Sequence, residues 1–335
     1  MKRMCFAGVW LLALVVCLLG LDRAMRREDS DLKYSAFYAE NQPIDVYFLG
    51  TSHVIDGIYP MELWRDYGIV SYNLGNSAET MEATYWTLRL ALQKNKPKVA
   101  VVDVGYVDRA QSISANLPLS HTYLDSVPLS VEKLRAIWSL FPEGSRAEFV
   151  FPLAVHHTRW EEFLDGVQKT TDCVPCMRGA ELHTGRIAAE SFQRTLERDE
   201  TDTPGKQALR RIIELCRDEG IEVQLIGLPY PAEAERQQMM NSVQSIADEY
   251  GVQYHSLFDV EGLVDFYTDF CDGISHLNPD GAVKVTAWLG EMLSESYDLP
   301  DRRGDPAYAH WNEALAEYEA LYEREWSAMS LLNRE

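Results

Sequence analysis

The sequence is short of two residue classes, cysteine and basic side chains. Six cysteines in 335 residues are too few for a fold built on disulfides. Lysine and arginine total 31 against 52 aspartates and glutamates, which gives a formal net charge of −21. A field of that sign repels phosphate backbones, and no stripe of basic residues offsets it, so we expect no nucleic-acid partner. The 46% share of hydrophobic residues instead describes a globular protein with a sizeable core.

One long apolar run stands at the N-terminus. Residues 4–21 carry no charge, and as a helix they would rise about 27 Å, enough to cross the hydrocarbon core of a bilayer. A cleaved signal peptide is the alternative, but no small-x-small cleavage site follows the run. Residues 1–30 are therefore predicted to be a single-pass signal-anchor in the cell membrane. Basic residues flank the run on both sides, so placing the body outside the cytoplasm depends mainly on the chemistry proposed below.

The rest of the chain alternates between short apolar runs and amphipathic helices. This alternation predicts an α/β fold of three layers, with helices on both faces of a central parallel five-stranded sheet. The runs that predict buried strands cover residues 44–49, 70–74, 99–104, 221–227 and 252–255. The helices predicted between and after them cover residues 78–94, a stretch from about 205, residues 232–250 and residues 279–297.

The alternation also divides the chain. We predict one α/β domain over residues 43–300, interrupted after the third strand by an insertion of short helices and loops over residues 106–200. Residues 301–335 are predicted to form a C-terminal amphipathic helix that packs on its own domain. Its apolar stripe consists of Tyr308, Trp311, Leu315, Tyr318, Tyr322, Trp326 and Met329.

Polar side chains follow the strands at the edge where parallel α/β sheets bind ligands. Ser52 lies in the turn directly after the first strand, and His276 precedes the last helix of the domain. A serine hydroxyl is a weak nucleophile until a base takes its proton, and an imidazole base needs a carboxylate to fix its tautomer. Asp272 and Asp269 both precede the histidine, so this pattern predicts acyl-transfer chemistry and leaves two candidate acids.

These segments resemble the SGNH (GDSL-like) hydrolase superfamily. The similarity is greatest to its membrane-anchored cell-envelope branch, which includes proteins resembling alginate-acetylation and teichoic-acid D-alanylation components. That branch ends in His-Leu-Asn-x-x-Gly-Ala-x-Lys-x-Thr, and residues 276–286 read His-Leu-Asn-Pro-Asp-Gly-Ala-Val-Lys-Val-Thr. The resemblance covers about residues 44–290, and it implies the SGNH variant of a flavodoxin-like fold.

The resemblance also implies roles for individual residues. Ser52 would be the nucleophile and His276 the general base, with the Ser52 N–H and the Gly75 N–H forming the oxyanion hole. The activity implied is acyl-ester hydrolysis or O-acyl transfer without a metal or organic cofactor. The substrate would be an O-acylated polysaccharide or polyol polymer of the cell envelope. A transferase would further need a membrane-bound acyl-handling partner.

Two departures from the superfamily pattern keep alternatives open. An asparagine usually follows the third strand, but residues 103–108 contain none, and Asn76 is the candidate substitute. The acid usually stands three residues before the histidine, where this chain has Gly273, so Asp272 or Asp269 completes a triad or the site is a dyad. The rival hypothesis is a non-enzymatic SGNH-fold envelope protein that binds a glycan or a membrane partner.

The insertion holds two further candidates. Residues 151–160 include His156, His157, Arg159 and Trp160, which form either a substrate-recognition segment or a packed aromatic cluster. Adjacent histidines point in different directions, so the pair is not expected to share a metal. Cys173 and Cys176 lack the second pair that a structural zinc site needs, and outside the cytosol they predict a local disulfide.

Overall fold

The computed structural model describes residues 2–25, 28–108, 117–157, 174–189 and 192–327. Its centre is a sheet of five parallel strands in the order β2-β1-β3-β4-β5. The strands are β1 (Val46–Leu49), β2 (Ser71–Asn73), β3 (Val99–Asp103), β4 (Glu222–Gly227) and β5 (Gln253–Ser256). The prediction of an α/β fold around a five-stranded parallel sheet is confirmed. Strands β1 to β3 are buried throughout, as expected for a sheet with helices on both faces.

The helices that flank the sheet include the predicted ones and three that the sequence pattern did not indicate. Predicted helices appear at Met81–Ala91, Pro204–Glu219 and Pro279–Ser296, while the stretch 232–250 forms two helices, Ala234–Asn241 and Val243–Tyr250. The hydroxyl of Ser242, between these two, donates to the carbonyl of Met239 at 2.6 Å, a local bond that competes with helix continuation. The helices not predicted are Glu28–Ala39, Ser52–Gly57 and Pro60–Tyr67.

The strand order places a switch point between β1 and β3. In doubly wound sheets of order 2-1-3-4-5, ligands bind at the carboxyl ends of the strands on either side of such a point. Gly50 ends β1 there with a φ of +148°, and a Cβ on it would lie 2.9 Å from the Cβ of Asp103 and 2.8 Å from Val54. Only glycine fits this close approach of two strand ends.

The insertion lies between β3 and β4, as predicted. Its described helices are Leu117–Leu124, Val131–Leu140, Arg146–Val150 and Leu153–His156, followed after a gap by a 3₁₀ turn at Pro175–Met177. Helix Val131–Leu140 packs against helix Met81–Ala91, so this part of the insertion extends the main core on one face of the sheet.

The described part of the C-terminal segment packs on the α/β domain. It consists of a 3₁₀ turn at Pro306–Tyr308, helix Ala309–Tyr322 and a π-helical turn at Glu323–Ser327. The Tyr318 hydroxyl donates to Glu62 at 2.6 Å, and the Trp326 indole donates to Asp280 at 2.7 Å. Met329 of the predicted stripe lies outside the described residues.

The N-terminal prediction needs correction. The first helix is Lys2–Met25, but within the described part of the chain no helix meets the combined demands of length and apolarity for crossing a bilayer. The prediction that residues 1–30 anchor the chain in the cell membrane, with the body extracytoplasmic, is therefore wrong. The charged end of this helix instead contacts the insertion. Asp22 is buried, and its carboxylate accepts the N–H of Leu153 at 2.7 Å.

Candidate active site

Three side chains from distant parts of the chain meet at the carboxyl edge of the sheet. Ser52 begins the helix after β1, while Asp272 and His276 lie in the loop before helix Pro279–Ser296. The distance from Ser52 Oγ to His276 Nε2 is 2.8 Å, and His276 Nδ1 lies 2.6 Å from Asp272 Oδ2. The structure therefore brings the three predicted residues into one continuous hydrogen-bonded chain.

The loop around Asp272 explains how the acid can stand four residues before the histidine. Its Oδ1 accepts hydrogen bonds from the backbone N–H groups of Ile274, Ser275 and His276, at 2.9 to 3.1 Å. Gly273 adopts a left-handed conformation with a φ of +69°, and a Cβ there would lie 2.7 Å from the carbonyl of Ala188. The additional residue is thus absorbed by a turn that Asp272 itself closes.

The same contacts determine the charge of Asp272. Burial by itself raises the pKa of this carboxyl, but the three N–H groups and the His276 ring outweigh it and lower the pKa to about 2. Asp272 is therefore ionised at neutral pH. A carboxylate at this position holds the imidazole with its Nδ1–H toward Asp272, which leaves the Nε2 lone pair for the Ser52 hydroxyl.

Asp269, the alternative acid, is engaged elsewhere. Its Oδ2 accepts hydrogen bonds from the ammonium of Lys284 at 2.6 Å and from the N–H of Asp265 at 2.7 Å. The side chain is almost wholly buried. Asp269 therefore ties the loop to the last helix of the domain, and it is Asp272 that contacts the His276 ring.

The backbone at Ser52 offers one donor for an oxyanion. Thr51 caps the helix Ser52–Gly57, and its hydroxyl accepts the N–H of His53 at 3.4 Å. Ser52 is the first helical residue, so its own N–H has no acceptor within the helix. A donor on the nucleophile itself lies close to where charge develops on a carbonyl under attack.

The other predicted oxyanion donors are committed within their own loop. The N–H of Gly75 donates to the side chain of Asn73 at 3.0 Å. The Asn76 amide donates to Glu79 and to a backbone carbonyl, both at 3.1 Å, and its oxygen accepts the hydroxyl of Tyr34 at 2.8 Å. Neither group is presented to the nucleophile in this structure.

Asp103 occupies the end of β3, just before the segment where the superfamily usually has an asparagine. Its Oδ1 accepts the N–H of Leu228 at 3.2 Å, whereas Oδ2 has no hydrogen-bond partner among the described residues. Burial raises the pKa of Asp103 to about 7, even though backbone N–H groups act in the opposite direction. Asp103 is thus a buried acid at the switch point, and among the described residues one of its oxygens accepts no hydrogen bond.

The site also contains residues that the sequence reasoning missed. Asp56 lies one helical turn after Ser52, with its Oδ2 3.9 Å from His276 Nε2. His183 and Glu181 approach it from the segment 174–189, with His183 Nδ1 2.7 Å from Asp56 Oδ1. The spacing of four between Ser52 and Asp56 could have indicated a shared helix side. His183, 127 residues further along the sequence, carried no such signal.

Of the candidates in the insertion, the structure describes His156 and His157, and their hydrogen bonds are to other residues of the insertion. His156 is buried, and its Nε2 lies 2.9 Å from Asp125, whose carboxylate also contacts His121 at 2.9 Å. Phe149 stacks on His121 with ring centroids 4.0 Å apart, which agrees with the packed-cluster alternative. Arg159, Trp160 and Cys173 lie outside the described residues, and Cys176 carries a buried free thiol.

In this arrangement His276 can accept the proton of the Ser52 hydroxyl, and the Asp272 carboxylate orients the His276 ring. Such a relay can convert a serine hydroxyl into a nucleophile for acyl groups. Comparison with known proteins finds no family model that matches the chain and no curated protein similar to it. A function for this chain must therefore be inferred from the site geometry and the sequence motifs.

Proposed function

We propose that the chain is a serine-dependent acyl-ester hydrolase or O-acyltransferase of the SGNH type. The observation that carries this proposal is the continuous contact from Ser52 Oγ through the His276 ring to Asp272, at 2.8 and 2.6 Å. Its location at the carboxyl edge of a parallel sheet, next to the switch point between β1 and β3, supports the same function.

The proposed reaction begins when Ser52 Oγ attacks the ester carbonyl. His276 Nε2 takes the hydroxyl proton, and the Ser52 N–H donates to the oxyanion of the tetrahedral intermediate. The imidazolium then gives its proton to the leaving alcohol, so an acyl-serine forms as the ester C–O bond breaks. Water or a second hydroxyl, deprotonated by the same histidine, releases the acyl group. Hydrolase and transferase differ only in which acceptor arrives.

The substrate class rests on the resemblance to SGNH proteins. An early serine, a late aspartate–histidine pair and the closing stretch of residues 276–286 are shared with members that handle acylated envelope polymers. We therefore propose an O-acylated polysaccharide or polyol polymer as the substrate. If the enzyme is a transferase, it also needs a partner that delivers the acyl group.

Fluorophosphonate labelling tests the proposal because the reagent modifies only activated serines. The wild type and the matched control Ser294→Ala, which removes an exposed hydroxyl near the C-terminal end of helix Pro279–Ser296, should both be labelled. Ser52→Ala should not be labelled, and peptide mapping should find the adduct on Ser52. Absence of label on the folded wild type, both alone and with membranes added to supply an acyl partner, would overturn the proposal.

One observation favours a second candidate, an SGNH-fold protein that binds a glycan without catalysis. The N–H of Gly75 and the amide of Asn76 donate within their own loop, which leaves the Ser52 N–H as the oxyanion donor identified at the site. This candidate predicts glycan binding, measured by calorimetry, that is equal in the wild type and in Ser52→Ala, with no ester turnover in either.

A further inference from the structure

We propose that Asp56, Glu181 and His183 form a binding site for a divalent cation beside Ser52. The three residues offer one ligand atom each, and these atoms all lie within 4.8 Å of one another. The site is a separate feature from the serine–histidine relay. Its existence as a binding site does not depend on the proposed function.

Two elements bring these ligands together. Asp56 projects from helix Ser52–Gly57, while Glu181 and His183 belong to the segment 174–189. The N–H of Glu181 donates to the carbonyl of Ile55 at 3.2 Å, which fixes this segment against the helix. The backbone therefore determines the approach of the two carboxylates and the imidazole before any ion binds.

The contact between Asp56 and His183 has the wrong geometry for a simple hydrogen bond. Asp56 Oδ1 lies only 2.7 Å from His183 Nδ1, yet this buried oxygen has no hydrogen-bond partner among the described residues. The ring nitrogen and the carboxylate oxygen therefore lie close together without forming a hydrogen bond. Neighbouring ligands of a metal ion have this relation, because each atom points at the ion and lies beside the other.

The charges in the cluster also favour a cation. The Asp56 side chain is 3% exposed, and a carboxylate oxygen buried without a hydrogen bond carries a large desolvation cost. Glu181 adds a second carboxylate, one oxygen of which lies within 4.8 Å of a ligand atom of Asp56 and of His183. Two carboxylates and one imidazole suit Mn²⁺ and Zn²⁺, which accept both oxygen and nitrogen ligands.

A second histidine–carboxylate cluster in the insertion does not share these properties. In the group of His121, Asp125 and His156, both carboxylate oxygens accept hydrogen bonds from a ring at 2.9 to 3.1 Å. No oxygen of Asp125 is left without a partner, and the three side chains are at most 8% exposed. That cluster is complete without an ion.

A role for the ion in turnover rests on the proposed function. Asp56 Oδ2 lies 3.9 Å from His276 Nε2, so an ion held by Asp56 lies near the Ser52 hydroxyl. Three protein ligands leave coordination positions open for an oxygen of the substrate. Such an ion would polarise the ester carbonyl, a task for which the Gly75 N–H and the Asn76 amide are not available.

Metal titration of the full chain tests the site. After treatment with EDTA and its removal, calorimetry with Zn²⁺ and electron paramagnetic resonance with Mn²⁺ should both find one saturable ion per chain. His183→Gln and Glu181→Gln should each weaken binding at least tenfold. The matched control His157→Gln, which changes an exposed histidine in the insertion, should bind as the wild type does. Absence of saturable binding, or equal binding by His183→Gln and the wild type, would overturn the site.

Two further measurements separate this proposal from the proposed function. The titration is repeated in Ser52→Ala, which cannot form an acyl-enzyme, and the same stoichiometry is expected. Hydrolysis of p-nitrophenyl acetate by the stripped wild type should fall at least tenfold and recover with Mn²⁺ or Zn²⁺. Turnover that is unchanged by stripping would overturn the role of the ion in catalysis, while the binding data would still decide the site.

Discussion

Two of the histidine–aspartate clusters in the described part of the chain differ in the second contact that the histidine makes. At the sheet edge, His276 contacts Asp272 at 2.6 Å and turns its other nitrogen to the Ser52 hydroxyl. In the insertion, His121 and His156 both contact Asp125 at 2.9 Å. The first cluster, which we call the reactive cluster, ends in a potential nucleophile. In the second, which we call the closed cluster, both histidines contact the same carboxylate.

The exposure of the histidine side chains also differs between these two clusters. The His276 side chain is 28% exposed, whereas those of His121 and His156 are 4% and 8% exposed. Burial raises the pKa of Asp125, but the two rings outweigh that effect and leave it lowered. A histidine–aspartate pair is therefore not a site by itself. Reactivity requires a ring nitrogen that a substrate can reach, and stability requires that no buried polar group lacks a partner.

The largest expected effect tests the reactive cluster. Ser52→Ala and His276→Ala should each lower kcat for p-nitrophenyl acetate by a factor on the order of 10⁴ to 10⁶, because each removes an essential part of the relay. The double variant should be hardly worse than either single one, since the two residues act as a unit. Ser294→Ala is the control. Multiplying losses in the double variant would contradict a relay.

Exchanging the acid tests whether Asp272 orients the ring. Asp272→Asn should lower kcat by a factor on the order of 10³ to 10⁴, because an amide favours the wrong imidazole tautomer. Asp269→Asn should leave kcat within a few-fold of the wild type and lower the melting temperature, since it breaks the contact with Lys284. Equal losses of kcat in both variants would show that Asp272 has no special function.

The closed cluster should respond in stability and not in activity. Asp125→Asn removes the charge that two buried histidines contact, and we expect it to lower the free energy of unfolding by about 3 kcal/mol. Urea denaturation measures this change. Turnover per folded molecule should equal that of the wild type. A variant with unchanged stability and reduced turnover would reverse the assignment of the two clusters.

The smallest expected effect is on the pH dependence of stability, and it concerns Asp103, a buried carboxyl whose pKa is raised. Its folded-state pKa of about 7 exceeds the unfolded value, so its contribution to stability is complete below about pH 4 and is lost as pH rises through 7. Asp103→Asn cannot ionise. Its free energy of unfolding relative to the wild type should therefore rise by about 2 kcal/mol between pH 5 and pH 8. A difference that does not change with pH would contradict the raised pKa.

Local sequence pattern was sufficient to predict the sheet. Runs such as residues 99–104 are apolar and β-branched because both faces of a central parallel strand are buried, and the structure has β3 there. The order of serine, aspartate and histidine along the chain predicted that Ser52 and His276 meet, and it left Asp272 and Asp269 as candidate acids. The N-terminal run was interpreted from its apolarity, its length and the absence of a cleavage site, and the prediction of a membrane anchor was wrong.

The finer features of the site depended on contacts that sequence spacing does not encode. The amide oxygen of Asn76 is held by Tyr34, which belongs to a helix that the pattern did not indicate. The choice of Asp272 over Asp269 depended on one left-handed glycine, Gly273. His183 contacts Asp56 from an irregular segment of the insertion, and the helical or strand periodicity of a sequence gives no signal for such a contact.

The separation of 224 residues between Ser52 and His276 has a consequence for biosynthesis. At a synthesis rate of about 5–20 residues per second, the ribosome would add the histidine roughly 10 to 45 seconds after the serine. Contacts of such high sequence separation also form slowly in folding, because a long loop must close first. Under the proposed function, a nascent or incompletely folded chain would carry the serine without its base, and ester turnover would report only chains whose two halves have joined.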